Sequence, residues 1–416
     1  MRSDWVQSTI NEVCILVTDG AHNSPKSVDD GEYMASVKDF TEYGFDFSGC
    51  RRISEKDYLI LEKQGCVPKI GDILVGKDGA RYFEDIIIYR QDERPALLSS
   101  IAILRVDKSK ITPEFLYYTL KSPIVKKDVR DNYGSGSAIP RIVLKDFKRM
   151  PILYPGLDEQ RRITSLCELI DKKIQVNKKI NENLQQQMQV LFKEWFIDNP
   201  DSVEWTSGTF SDLIEKTISG DWGKETPSGN NTEMVYCMRG ADIPEVRAGN
   251  KGKMPTRYVL PKNYVVKHLI SGDIVVEISG GSPTQSTGRA AAISKALLDR
   301  YDKGMVCTNF CKALKPINGY SMYVFHYWQY LYDAGVFFSY ENGTTGIKNL
   351  DINGFLETEP IIVPPTMLIE KFDIFCQSTF SKIYAIGLEN EQLALVRDTL
   401  LPKLMSGEIN VSDIQL

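Results

Sequence analysis

A chain of 416 residues is too long for one compact domain and suits two or three. With 42% hydrophobic and 25% charged residues it has an ordinary soluble globular composition, and no apolar run approaches the ~20 residues that span a bilayer. A formal charge of −5 argues against a nonspecific polyanion binder but leaves room for a localised basic face.

In chain order, Asp4-Trp5 leads into a short amphipathic stretch and the turn Thr18-Asp19-Gly20-Ala21-His22. YMASVKDF at 33–40 reads as an apolar strand ending in a charged pair. GDILVGKDGARY, from Gly71, reads as a buried strand entered through Gly-Asp and left through a glycine-rich loop. A further strand, SSIAILRV at 99–106, precedes the aromatic helix PEFLYYTLKS, from Pro113. The polar glycine loop GSGSAIPRI at 134–142 follows, then a short apolar strand ending in proline, MPILYP at 150–155.

The stretch 158–198 reads as one uninterrupted helix, free of Gly and Pro, with Pro155 and Gly156 before it and Pro200 behind. At 1.5 Å per residue it makes a rod of roughly 60 Å. Two seams run along it at heptad spacing: Ile163, Ile170, Asn177, Leu184 and Leu191, and Cys167, Ile174, Asn181, Met188 and Trp195. A rod with such stripes needs a partner helix.

The second half repeats the first. Glu204-Trp205 stands 200 positions after Asp4-Trp5, and the turn Ser219-Gly220-Asp221-Trp222-Gly223 answers the one at His22. VYCMRGADI at 235–243, GDIVVEISGG from Gly272, CTNFCKALK at 307–315 and the aromatic helix SMYVFHYWQYLY from Ser321 repeat the earlier order. The loop GTTGIKNL at 343–350 and the strand EPIIVPP at 359–365 complete it. The stretch 367–405 then supplies the partner helix. Shifted by 209 positions, Phe372, Thr379, Ile386, Leu393 and Leu400 continue the first seam, and Cys376, Ile383, Asn390, Arg397 and Leu404 the second. Gly387 is expected to weaken this helix by roughly 1 kcal/mol relative to Ala, and Pro402 to disturb its last turn. Asn181 and Asn390 are expected to fix register, and Arg397 to be less buried or to face an acid.

The order domain, rod, domain, rod requires the second helix to run back along the first. The expected fold is α+β: two repeated domains separated by an intramolecular antiparallel coiled coil, with pseudo-two-fold symmetry. Each domain is expected to carry a twisted, largely antiparallel sheet. The divisions are 1–156, helix 157–198, 199–365, helix 366–408 and a tail at 409–416.

No catalytic or metal-binding pattern stands out. Walker, GxSxG, HExxH and Rossmann patterns are missing, and His22, His268 and His326 lie in unrelated contexts. A nuclease pattern can be forced onto Asp273 and Glu277, but Ser279 stands where its Lys belongs. The eight cysteines are scattered without a CxxC pair, and the opening MRSDWVQSTI lacks a signal peptide's apolar centre. Reduced thiols and a cytoplasmic location are expected.

The chemistry that remains is loops carrying hydrogen-bond donors. In the first half the candidates are Thr18, Asp19, His22, Lys38, Lys77, Arg81, Tyr82, Ser135, Ser137 and Arg141. In the second they are Trp222, Lys224, Arg239, Thr284, Gln285, Arg289, Thr344, Thr345, Lys348 and Asn349. Arg suits guanine, Asn or Gln suits adenine, and hydroxyls and Lys suit phosphate oxygens. At any one position an ordinary solvated loop is the competing reading. The two halves keep loop position while changing loop sequence, as two readers of different sequences on one scaffold would. Phe115, Tyr117, Tyr118, Tyr323, Phe325, Tyr327 and Trp328 lie at helical spacing and are read as core rather than as base-stacking platforms. A spacer that holds two protein partners apart is the alternative from a different class.

At this point the residues match a family. PILYPGLDEQRRI from Pro151, LFKEWFID from Leu191 and VRDTLLPKLMSGEI from Val396, with TDGAH at 18–22, GSGSAIPRI at 134–142 and the duplicated layout, resemble the specificity (S) subunit of Type I restriction–modification systems. The second rod departs from the family in opening with TMLIEKF rather than Leu-x-Glu-Gln. The resemblance implies two target-recognition domains, each reading one half of a split, asymmetric double-stranded DNA site, with the helices setting the gap. It also implies two modification (M) subunits that carry S-adenosylmethionine and methylate adenine, and restriction (R) subunits that use ATP and Mg. The chain itself would then hold no cofactor and catalyse nothing.

Overall fold

The computed structural model describes residues 5–79, 81–134, 140–280, 285–343, 346–409 and 411. The chain divides into two compact units, Met1–Lys173 with Leu393–Leu416, and Ile174–Gln392. Among the described residues no helix is long and apolar enough to cross a membrane.

In the first unit Val6–Thr9 pairs antiparallel with Pro151–Tyr154, just ahead of the long helix. A four-stranded antiparallel sheet runs in the order Cys14–Asp19, Ile101–Val106, Ile73–Gly76, Ile86–Ile88. Its two central strands are apolar at nearly every position because both faces are covered. Ile73, Val75, Ala102 and Leu104 share a core with Phe115, Leu116 and Leu120 of the helix Pro113–Lys121. Leu74, Ile101 and Ile103 pack on Ala35, Phe45 and Tyr89. Pro113 sits in that helix's first turn, and the Thr112 hydroxyl accepts from Phe115 N at 3.2 Å, so a local signal sets its start. A separate three-stranded sheet joins Arg51–Ile53, Glu32–Ala35 and Ala96–Leu97, the last pair parallel.

The second unit, taken by itself, has the same plan. Thr206–Thr209 pairs with Pro360–Val363. The four-stranded sheet runs Ile214–Ser219, Cys311–Pro316, Ile274–Glu277, Ala290–Ala292, and the mixed sheet runs Thr256–Val259, Glu233–Met238, Met305–Cys307. A small sheet of Ser279–Gly280, Lys348–Leu350 and Glu341–Asn342 is added. The helix Ser321–Asp333 is buried from Met322 to Gln329, so Tyr323, Phe325, Tyr327 and Trp328 are core residues, as are Phe115, Tyr117 and Tyr118 in the first unit.

These sheets correct two expectations. Each unit builds several small sheets instead of one, and 307–315 is not one strand. Met305–Cys307 pairs parallel in the mixed sheet while Cys311–Pro316 belongs to the four-stranded sheet, so the chain must change sheets at 308–310.

The long helices are Leu157–Phe192 and Thr366–Met405. The first does not stay α-helical to Asp198. Lys193–Ile197 forms a π turn, closed by Asp198 N donating to Lys193 O at 2.8 Å. The second continues through Pro402 to Met405. Within the second unit, Asn177 Nδ2 donates to Asn390 Oδ1 at 2.8 Å, Asn181 Nδ2 donates to Ile383 O at 3.0 Å, and Phe192 meets Phe372 at 5.9 Å between ring centres. Partner numbers fall as the first helix advances, so the pair is antiparallel. Within the first unit, Arg397 Nη1 donates to Asp171 Oδ1 at 2.5 Å, and Tyr118 Oη donates to Asp171 Oδ2 at 2.8 Å. The seam arginine therefore faces an acid. Ile163, Cys167, Ile174, Asn177, Asn181, Met188, Phe372, Cys376, Thr379, Ile383, Asn390 and Leu404 are buried; Ile170, Leu184, Leu191, Trp195, Ile386, Leu393, Arg397 and Leu400 are half-buried.

Candidate nucleic-acid interface

In the first unit the strand Cys14–Asp19 delivers Asp19 to the rim of the four-stranded sheet, and the chain turns at Gly20. A Cβ on Gly20 would lie 2.2 Å from Leu97 O, so only glycine lets the turn pass the neighbouring strand. Lys77 and Asp19 are both buried, with Lys77 Nζ 3.3 Å from Asp19 Oδ2 and 3.8 Å from Asp78 Oδ1. His22 Nε2 lies 3.2 Å from Asp19 Oδ1, with its ring in solvent. The later loop joins this rim: Ile142 N donates to Lys77 O at 3.0 Å and Gly79 N to Pro140 O at 2.9 Å, which seats exposed Arg141 beside Asp78. Arg81 spends its guanidinium on Asp85 at 2.6 Å, while Tyr82 is half-buried and Thr18 lies at the end of its strand. Ser135 and Ser137 lie outside the described residues.

The second unit builds its rim in the same place. Gly220 passes under Thr308, whose carbonyl oxygen a Cβ would meet at 1.9 Å, and Asp221 N donates to Cys307 O at 2.8 Å. Arg289 holds Glu277 through two hydrogen bonds of 2.7 Å. Arg239 donates to both Asp242 oxygens and to Lys253 O; the hydrogen bond to Asp242 keeps it more firmly protonated than usual. Lys348 Nζ lies 2.8 Å from Glu341 Oε2. Burial works against ionising Glu341, but Lys348 and the Thr287 N–H and hydroxyl outweigh it and keep its carboxyl below the usual range. Asn349 accepts from Ser279 Oγ, which ties the glycine-rich loop to the later loop. Gln285 is exposed, and Thr284, Thr344 and Thr345 lie outside the described residues. The acids of the forced nuclease pattern are occupied, Asp273 by Lys315 at 2.8 Å and Glu277 by Arg289.

The two units share one plan, each ending in a loop rim of differing sequence. The family described as "Type I restriction modification DNA specificity domain" matches residues 2–186. The chain is 26% identical over 327 residues to the Type I restriction enzyme MjaIX specificity subunit of Methanocaldococcus jannaschii, covering 74% of this chain and 72% of that one. It is 22% identical over 409 residues to the HindI specificity subunit of Haemophilus influenzae, covering 82% and 87%. Residues 2–186 carry the DNA specificity domain of Type I restriction–modification systems, and over most of its length the chain is similar to the specificity subunits of those systems. Such a subunit directs sequence recognition within a Type I restriction–modification complex and is itself noncatalytic. The fold agrees: the S subunit structure from M. genitalium superposes with a TM-score of 0.51 at 17% identity, covering 96% of both chains.

Strand register matches the two rims residue by residue. Gly76 pairs with Ile101 and Glu277 with Cys311, so Ser100 corresponds to Phe310 and Lys77 to Ile278. The turns place His22 opposite Trp222 in this correspondence, and the caps at Asp39 and Asp242 equate Ser36 with Arg239. The cations sort into two groups. Lys77, Arg81, Arg239, Arg289 and Lys348 are spent on internal carboxylates, whereas exposed Lys38, Arg141 and Lys224 have no ion-pair partner among the described residues. Sequence reasoning missed Thr308, Asn309 and Phe310. Its available signal was Phe310, an aromatic residue flanked by turn-forming Asn309 at the point where 307–315 changes sheets.

Proposed function

We propose that the chain reads a bipartite, asymmetric double-stranded DNA site, residues 1–156 one half and 199–365 the other, with the helices 157–198 and 366–408 setting the gap. The carrying observation is that one strand register presents different side chains at the same rim positions, His22, Ser36, Lys77 and Ser100 against Trp222, Arg239, Ile278 and Phe310. On this reading exposed Lys38, Arg141, Lys224 and His22 reach phosphates and base edges, and the paired cations hold the loops. Thr18, Asp19, Arg81, Tyr82, Gln285 and Asn349 shape the same rims, and Ser135, Ser137, Thr284, Thr344 and Thr345 are read as DNA contacts from the sequence alone.

Methyl transfer to adenine then belongs to two M subunits that bring S-adenosylmethionine, and cleavage to R subunits that use ATP and Mg, in the cytoplasm. Within the second unit Met367, Ile374 and Leu388 are exposed on the second helix, with the first pair seven residues apart and the next fourteen. That is an apolar line outside the internal seam and supports docking of partner subunits.

The test is a methylome of cells carrying this chain with its M subunits. A two-part adenine-methylated motif with a fixed gap is expected; methylation without sequence preference overturns the reading.

A further inference from the structure

The second unit has a cup at its rim, lined by aromatic residues at two positions that hold His22 and Ser100 in the first unit. Trp222 and Phe310 line it and are 37% and 59% exposed, two large rings turned to solvent in one place. Hydrogen bonds or packing fix the chain at both. Phe310 sits on the three-residue link between sheets, tied by Ile278 N to Phe310 O, Cys311 N to Thr308 O and Thr308 N to Met238 O, each at 2.9 Å. The Trp222 ring is backed by the Arg257 guanidinium at 3.6 Å, which Glu225 pairs at 3.1 Å. Gly223 follows at φ +59°, where a Cβ would stand 2.6 Å from Tyr258 O, so the turn requires glycine there.

The remaining walls are polar. Thr308 is buried, and among the described residues its hydroxyl has no nitrogen or oxygen partner, with the Cys311 thiol beside it. Glu277 lines the same cup, held by Arg289, with its carboxylate packed against Gly240, where a Cβ would lie 2.3 Å from Oε1. The cup encloses about 520 Å³, far more than a methyl group fills and within the range of sites for small ring compounds.

Resting on the reading of this unit as a DNA reader, we propose that the cup receives one nucleobase turned out of the duplex stack, clamped between Trp222 and Phe310. Stacking on aromatic rings gives affinity whatever the base, while the Thr308 hydroxyl and Glu277 carboxylate meet its polar edge. The first unit has Ser100 and His22 at the matching positions, and Val37 and Gly76 in place of Gly240 and Glu277. It reads its half-site without a clamp.

The experiment uses the complex of this chain with its M subunits and duplexes carrying the motif mapped from the methylome. Each position of both half-sites is mispaired in turn and binding is measured. A base that must leave the stack binds better once its pairing is already broken. In the half-site read by the second unit, one position besides the methylated adenine is expected to gain about tenfold in affinity when mispaired. The other half-site is expected to respond at its methylated adenine alone. Phe310→Ala and Trp222→Leu, both at exposed rings, are expected to keep the unfolding midpoint, lose about tenfold in affinity and abolish that second response. A second response that persists in Phe310→Ala, or none in the wild type, overturns the clamp while leaving the bipartite reading intact. A complex with no sequence preference fails at the earlier step and takes the clamp with it.

Discussion

A Cβ on Gly240 would lie 2.3 Å from Glu277 Oε1, whereas at the matching place in the first unit Val37 Cγ1 stands 3.5 Å from where a Cβ on Gly76 would be. One gap is filled from opposite sides: a large residue on the turn over a glycine strand end, or a glycine turn over a large strand end. The second arrangement also requires Arg289 to hold the Glu277 charge. Gly240→Val is expected to cost about 1–3 kcal/mol by overpacking. Glu277→Gly is expected to cost about 3–5 kcal/mol by stranding half-buried Arg289. The double variant is expected to lose less than the sum, because removing Glu277 makes room for the valine. Urea unfolding of the four proteins checks it, and strictly additive losses would contradict the packing account.

Gly387 lies mid-helix, where intrinsic propensity alone says that alanine stabilises by roughly 1 kcal/mol. The packing says the reverse. A Cβ there would sit 1.9 Å from the carbonyl oxygen of Gly249, whose own φ of +84° bars other residues from answering the turn. Gly387→Ala is expected to lower the thermal midpoint of the second unit, by about 1–3 kcal/mol in stability. A rise in the midpoint would show that the loop yields.

The contrast explains what was legible. Heptad seams are local, so the helices, their partnership and their antiparallel sense followed from residue spacing, and the two-fold repeat followed from matching one half to the other. The Gly387 contact was illegible because its partner, Gly249, belongs to a loop 138 positions away. The same limit hid the fate of the cations. Nothing near Lys77 reveals that Asp19 takes its charge, because strand pairing through Ile101–Val106 brings them together. The cup at Phe310 was hidden by a run that alternates like one strand and is divided only by the competition of two sheets for its ends.

His326 is buried between the helix Ser321–Asp333 and the long helices, close to the rings of Phe192 and Phe372, with Nδ1 3.2 Å from Gln189 Oε1. Burial, aided by Arg247, pushes its pKa down to about 3. The unfolded chain takes a proton near pH 6.5 and the folded chain does not. Stability is therefore intact above pH 6.5 and falls as pH drops from there towards 3, by about 2 kcal/mol on reaching pH 5. His326→Phe keeps the ring packing and removes the titration. The variant is expected to show a smaller loss between pH 7.5 and 5 in urea unfolding, and equal losses in both proteins would remove His326 as the cause.

On the proposal that the helical pair sets the gap between half-sites, its length converts into base pairs. Asn177 meets Asn390 and Asp171 meets Arg397, so an insertion in one helix alone would put these pairs out of register. Seven residues after Lys178, matched by seven before Glu389, keep the seams in phase. They lengthen each helix by about 10 Å at 1.5 Å per residue. At 3.4 Å per base pair this is about three base pairs. Paired insertion is expected to widen the unread gap of the methylated motif by about three base pairs while leaving both half-site sequences unchanged. A methylome with altered half-site bases, or with the original gap, would show that the helices do not act as the ruler.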